Sequence, residues 1–438
     1  MNIAIISLGC PKNQVDADVM CHALLSRGHT TTADLSEADC ILVNTCAFIE
    51  SAKQEAIENI LEACSYKEAN PALKVVVTGC LAERYRSEIL TEIPEVDAVI
   101  GIGSNGAICD LLDRVEAGEE HLESYGPKRD MPLGGCRVIS TPKHYAYLKI
   151  AEGCSNCCAY CAIPLIRGGL RSRTVEDCVE EAKFLASEGV KELIVVAQDI
   201  TAFGADRGEP EIAQLLDDLN KVEGIEWIRM LYAYPERITD EFIDAMVRND
   251  KVLHYLDVPI QHIDSEVLAR MNRKGDETTV RSALARLRAA MPDITLRTTL
   301  ITGFPGETEE QFEKLCAFVR EQRFARLGCF AYSEEEGTKA AEMEQMPMEV
   351  REQRAEAVMR IQTDIMAEAQ QAMIGRTLTV ICDDYDEENE LYLCRSRGDA
   401  PDIDAVVCVR SEETMYPGQF YDVTVEDSDV YDLYAVRA

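Results

Sequence analysis

The chain has 438 residues, enough for about three domains of ordinary size. Its 79 acidic and 44 basic residues leave a formal charge of -35, which argues against a broad face for nucleic-acid phosphates, because those are held by clustered lysine and arginine. No apolar run approaches the roughly 20 residues that span a bilayer, and in a reducing compartment the 18 cysteines read as metal ligands or buried thiols rather than disulfides. A basic protein partner suits the charge; solubility or an acidic, salt-adapted proteome is the competing explanation.

The run from Met1 to Leu8 opens as a strand, without the basic stretch and cleavage site of a signal peptide, so a cytoplasmic protein is expected. Apolar runs at 3–8, 40–45, 74–79 and 96–100 alternate with helical patterns at about 13–26, 51–65 and 81–90, predicting a parallel-sheet α/β domain over residues 1–117. The first three runs close on cysteine, as Leu8-Gly9-Cys10, Asn44-Thr45-Cys46 and Thr78-Gly79-Cys80. Parallel strands present their carboxyl ends on one edge, where ligands bind, so Cys10, Cys46 and Cys80 can converge as ligands of an iron-sulfur cluster. Three separately buried thiols are the alternative. Cys21, Cys40, Cys64 and Cys109 lie inside the periodic runs and read as packing residues. Residues 118–142, with Gly and Pro and no sustained period, read as a linker, and Cys136 within it has no assigned role.

Residues 143–372 carry a second series, with strands at 145–150, 192–197, 227–233, 253–259, 295–301 and 326–332 and helices between them, Thr174 and Ser265 serving as N-caps. Six units predict a partial (β/α)6 barrel, whose functional groups gather at the carboxyl ends of the strands. Directly after the first strand comes Gly153-Cys154-Ser155-Asn156-Cys157-Cys158-Ala159-Tyr160-Cys161. Cys154, Cys158 and Cys161 can hold three corners of a 4Fe-4S cluster and leave one iron open to a small molecule. A zinc site would need a fourth ligand such as Cys157. Gln198 and Asp199 end the second strand on the same rim, where they can bond a cofactor or Arg173, while Arg171 and Arg173 can neutralise a carboxylate. The glycines of Arg297-Thr298-Thr299-Leu300-Ile301-Thr302-Gly303-Phe304-Pro305-Gly306-Glu307 permit close backbone approach to a ligand; an ordinary strand-to-helix connection is the alternative. His262 at its strand end reads as structural.

A long amphipathic segment at 348–373 leads into residues 373–438, where five short strands predict a small antiparallel β-barrel of the kind that binds oligonucleotides or proteins. From Arg376 onward there are 5 arginines and no lysine against 16 acidic residues, an unpromising balance for an RNA groove.

With both cysteine trios in place, the whole chain resembles the methylthiotransferase family of radical S-adenosylmethionine enzymes. Ser7-Leu8-Gly9-Cys10-Pro11-Lys12-Asn13, Ala197-Gln198-Asp199, Tyr332-Ser333-Glu334-Glu335-Glu336-Gly337-Thr338 and Arg397-Gly398-Asp399-Ala400-Pro401-Asp402-Ile403-Asp404 are similar to its ribosomal-protein branch. One departure is Ala405, where that branch often has Gly. The resemblance implies an N-terminal methylthiotransferase domain with an auxiliary 4Fe-4S cluster on Cys10, Cys46 and Cys80. It implies a radical S-adenosylmethionine core with the second cluster on Cys154, Cys158 and Cys161, and a C-terminal TRAM domain. Tyr160, Gln198, Asp199, Arg297 and Gly303 become the candidate contacts to S-adenosylmethionine. The implied substrate is an aspartate of small-subunit ribosomal protein twelve, methylthiolated on its β carbon with electrons from a donor such as flavodoxin or ferredoxin. That C–H bond is too weakly acidic for a side-chain base, hence a radical cofactor. The competing readings are a tRNA adenosine methylthiotransferase and a non-catalytic iron-sulfur or zinc adaptor.

Overall fold

All residues from Met1 to Ala438 are described by a computed structural model in which three main sheets follow one another along the chain. The first contains β1 (Asn2–Ser7), β2 (Thr30–Thr31), β3 (Cys40–Thr45), β4 (Lys74–Gly79), β5 (Ala98–Ile100) and β6 (Leu122–Ser124), all parallel in the order β2-β1-β3-β4-β5-β6. Its helices are α1 (Pro11–Ser26), α2 (Glu50–Ser65), α3 (Cys80–Tyr85), α4 (Ser87–Glu92) and α5 (Ile108–Glu116). β3 and β4 read as unbroken apolar runs because both faces are covered: Ile41, Val43, Val75 and Val77 pack with Ile60 of α2, and Leu42 and Val76 with Leu24 and Leu112 on the other side. The expected linker at 118–142 contributes β6, an edge strand of three residues, too short for any period to register. The helix expected at 81–90 breaks at Arg86, which adopts φ 47° and reaches back to Glu83 at 3.0 Å.

The second sheet consists of β7 (Tyr145–Lys149), β10 (Glu192–Val196), β11 (Trp227–Met230), β12 (Val252–Asp257), β13 (Thr295–Thr302) and β14 (Arg326–Ala331), parallel and in sequence order, with no pairing between β14 and β7. It is an incomplete (β/α) barrel. A short ribbon of β8 (Ala151–Glu152) and β9 (Arg171–Ser172) brackets the central cysteine loop. Between strands run α6 (Ile163–Arg167), α7 (Val175–Ser187), α8 (Ile212–Leu219), α9 (Asp240–Arg248), α10 (Ser265–Arg270), α11 (Glu277–Ala290) and α12 (Glu309–Gln322). Thr174 caps α7 through the Asp177 amide, as expected. At α10 the cap is Asp264, one residue before the expected Ser265, and its carboxylate takes the Glu266 and Val267 amides.

α13 (Met348–Gln371) runs along β14 into the third sheet. There β15 (Thr377–Asp386), β16 (Leu391–Ser396), β17 (Val407–Arg410), β18 (Phe420–Ser428) and β19 (Leu433–Arg437) close in the order β15-β16-β17-β19-β18. Four pairings are antiparallel and the β17–β19 pairing is parallel; closure leaves no free edge. The barrel docks on the second sheet by Phe420, edge-on to Trp227 at 4.9 Å, and by charge. Arg395 and Arg229 both grip Glu192, and Arg326 grips Asp399. Part of the barrel's acidity is therefore committed inward, while Glu387, Glu388, Glu412 and Glu426 remain exposed. No helix is long and apolar enough to cross a membrane.

Candidate metal centres at the domain junction

The register of β1, β3 and β4, with Ser7 beside Asn44 and Thr45 beside Gly79, brings their ends level. Each strand end then turns into its cysteine. Gly9 and Gly79 both have φ near +90°, and a Cβ on Gly9 would lie 2.8 Å from Cys46 Sγ, so this turn needs glycine to bring Cys10 against Cys46. The Asn13 side chain donates to Leu8 O at 2.7 Å and Thr45 O at 3.2 Å, tying the turns together. Burial pushes the Cys80 thiol up to about 12 and raises Cys46 as well. Burial also opposes ionisation of Cys10, but Lys12, Arg167 and the Asn13 and Lys12 amides outweigh it and lower its pKa. The three thiols lie close enough to feel one another's charge. One ionises more easily than a free thiol and two less easily, so that a bound metal must displace their protons, which is the donor chemistry of a thiolate-bound cluster.

The second trio sits in the loop after β8. Burial raises Cys154 to about 11 and Cys161 to about 12, and Cys158 and Cys154 both act on Cys161. Cys158 Sγ lies 2.9 Å from the Tyr234 hydroxyl, and the Asn156 amide points at Cys154 Sγ from 3.5 Å. Cys157, which a zinc site would recruit, is exposed. No three donors are gathered tightly enough for a single ion; thiolates of a cubane bind different irons and stand farther apart than ligands of one zinc. In donor chemistry, three buried or half-buried thiols each, both trios suit a cluster. Beside the second, a cavity of about 410 Å³ is lined by Asn156, Tyr234, Glu236, Arg237, Asn272, Arg273, Lys274 and Thr279.

A buried ionic bridge joins the two trios. Arg167, six residues after Cys161, places Nη2 3.5 Å from Cys80 Sγ and Nη1 3.0 Å from Asp16 and 2.9 Å from Glu152. Lys149 pairs with the same two carboxylates. The other Glu152 oxygen accepts the Gly153 amide and Gln198 Nε2, each at 3.0 Å. Burial works against ionised Glu152, yet Arg167 and Lys149 hold its pKa far below the usual range.

Comparison with known proteins agrees with this architecture. Residues 2–101 match the "Uncharacterized protein family UPF0004", 148–319 the Radical SAM superfamily and 374–437 the TRAM domain. Ribosomal protein uS12 methylthiotransferase RimO of Desulfitobacterium hafniense is 45% identical over 98% of this chain and 97% of that protein. The protein of that name from Lachnoclostridium phytofermentans is 46% identical over 99% of each. The chain belongs to the RimO family. The radical S-adenosylmethionine methyltransferase TsrM of Kitasatospora setae shares the fold, with a TM-score of 0.58 at 13% identity over 88% of this chain and 78% of its own. Membership of the RimO family makes this a radical enzyme that works with S-adenosylmethionine and two 4Fe-4S clusters.

In this RimO-family chain the expected cofactor contacts divide. Tyr160 lies against Cys158, and burial and that thiol raise its pKa well above the usual range. Asp199 holds Asn156 of the cysteine loop at 2.8 Å and pairs with Arg237; Gln198 reaches the loop through Glu152. Neither touches Arg173, which pairs with Glu181. Arg171 bonds the Arg129 and Met131 carbonyls. Arg297 is not on the rim: as the third residue of β13 it meets Asp257 at 3.1 Å and Asp404 of the terminal barrel at 3.5 Å. Gly303 has φ +68°, and what approaches it is Arg351 of α13, 2.5 Å from where a Cβ would stand. Arg167, Glu152, Lys149, Tyr234 and Arg237 were not foreseen.

His262 is structural, accepting the Asp264 amide on Nδ1 at 3.0 Å. Burial, opposed by Asp264 and assisted by Arg270, Lys314 and Arg354, lowers its pKa to about 3. The unfolded chain binds this proton near pH 6.5 and the folded chain does not, so the stability His262 contributes is complete above pH 6.5 and is lost as pH falls toward 3. Denaturant melts at pH 6.5 and 5 are expected to show about 2 kcal/mol more acid loss in the native protein than in His262→Asn.

Proposed function

We propose that this protein methylthiolates the β carbon of an aspartate in ribosomal protein uS12, with Cys10, Cys46 and Cys80 ligating one 4Fe-4S cluster and Cys154, Cys158 and Cys161 the other. The clusters and S-adenosylmethionine, when bound, supply the radical and the methylated sulfur that no side chain can. The observation that carries the reading is the Arg167 bridge, which fixes Cys80 of one trio relative to Glu152 and the Cys154 loop of the other. Two reacting groups held at fixed separation spare the entropy of bringing them together. Asn156, held by Asp199 and Arg237, keeps the Cys154 loop in shape, and the Tyr234 and Tyr160 hydroxyls meet Cys158. The exposed acidic face of the terminal barrel suits a basic ribosomal protein, whose approach it would accelerate. A cytoplasmic location and an electron donor of flavodoxin or ferredoxin type belong to the same reading.

The test is anaerobic turnover with reductant and S-adenosylmethionine, offering uS12 and tRNA in parallel and weighing both by mass spectrometry. A methylthio gain on uS12 is expected; gain on tRNA alone would replace the substrate.

A further inference from the structure

Lys12 stands apart from every other buried lysine of the molecule. It is 7% exposed, on the first turn of α1, two residues after Cys10. Lys149 has Asp16 and Glu152, and Lys53 has Glu50 and Glu335. The Lys12 ammonium has no carboxylate within ion-pair distance and no hydrogen-bond acceptor; it lies over the face of Tyr232, 3.8 Å from the ring centroid, and Cys10 and Glu152 act on it through their charge without a direct bond. In a chain with 79 acidic residues, a buried cation with no carboxylate bonded directly to it is costly and is free to take one. The first turn of α1 also carries no acidic residue, so the helix N-terminus adds to the positive field. The nitrogen is not sealed among the fully enclosed, unpartnered polar atoms.

Its position gives the ligand's identity. Tyr232 holds the strained backbone angle φ +70° and lies two residues before Tyr234, whose hydroxyl is at Cys158. The ammonium is thus near enough to Cys10 of one trio for the two charges to interact, and it rests on a residue two positions before the tyrosine that meets Cys158 of the other. A carbon that loses hydrogen at the second centre and receives sulfur from the first must come within reach of both. In an aspartate side chain the carboxylate is bonded directly to that β carbon.

We propose that the Lys12 ammonium binds the carboxylate of the substrate aspartate, an inference that rests on the uS12 reading above. The methionine carboxylate of S-adenosylmethionine has the same chemistry, so the test separates the two. The full-length protein, reconstituted anaerobically, is titrated with uS12 and with uS12 whose target aspartate is replaced by asparagine. The native enzyme is expected to bind the asparagine form weaker by about tenfold or more. Lys12→Met is expected to bind both forms at that weaker level while keeping native affinity for S-adenosylmethionine, and Lys12→Arg, which keeps a positive charge beside Cys10, to recover part of the preference.

Equal binding of the two uS12 forms by the native enzyme overturns the proposal with no variant needing to fold. A Lys12→Met enzyme that keeps the preference, or that loses S-adenosylmethionine affinity instead, also overturns it. If the native enzyme modifies tRNA and not uS12, the functional reading fails and takes this inference with it. If it modifies uS12 and ignores the asparagine change, this inference fails alone.

Discussion

Replacing Arg167 with methionine is expected to destabilise the protein by about 3–5 kcal/mol, the usual consequence of removing one partner from a buried charge cluster. The Arg167 side chain is 1% exposed, and Asp16 and Glu152 are 3% and 0% exposed; without it, Lys149 alone must offset two enclosed carboxylates. The two domains separate along the same line, because Asp16 and Cys80 come from the first and Glu152 from the second. Denaturant unfolding measures the first effect. Iron content measures the second, with loss expected at the Cys80 site before the Cys154 site. Arg167→Lys should rescue little, since a point charge cannot reach Cys80 and both carboxylates at once as the planar guanidinium does. A change below about 1 kcal/mol would mean that the bridge does not hold the junction.

Arg395→Met is expected to be comparably severe, about 3–5 kcal/mol, at the other junction. Its guanidinium lies 2.6 Å from Glu192 and 2.7 Å from Asp383, and over the Tyr145 ring at 5.4 Å. Glu192 would keep only Arg229, and Asp383 only His144. The apolar contact of Ile381, Ala400 and Phe420 with Tyr145, Trp227 and Tyr255 and the Arg326–Asp399 pair remain, so the barrel is loosened and limited proteolysis should cut the connection near residues 372–376 faster in the variant than in the native chain. A native cleavage pattern with a native melting curve would contradict this.

What was legible in the sequence was local. Unbroken apolar runs, glycines at their ends and the C-x3-C-x2-C spacing each lie within a few residues, and they marked both trios and the order of three domains. The bridge was not legible, because Arg167, Asp16 and Glu152 meet only once two domains are oriented, and no periodic pattern carries that orientation. A signal was nonetheless present. Lys149, Glu192 and Arg229 are charged residues inside strands that are otherwise apolar, and such residues are buried only when paired. Arg297 meets the terminal barrel and not the cofactor rim because it lies early in β13, at the end of the strand away from its carboxyl end. The count of acidic residues in the barrel says nothing of direction, and Asp383, Asp399 and Asp404 turn inward to answer Arg395, Arg326 and Arg297.

The division of labour between two clusters is tested most directly by iron content and reductive cleavage of S-adenosylmethionine in Cys10→Ala and Cys154→Ala. The native protein should hold about eight irons, and each variant about four. Cleavage should survive in Cys10→Ala and vanish in Cys154→Ala. Unchanged iron in either variant, or cleavage lost in Cys10→Ala with its central cluster intact, would contradict two centres with separate roles.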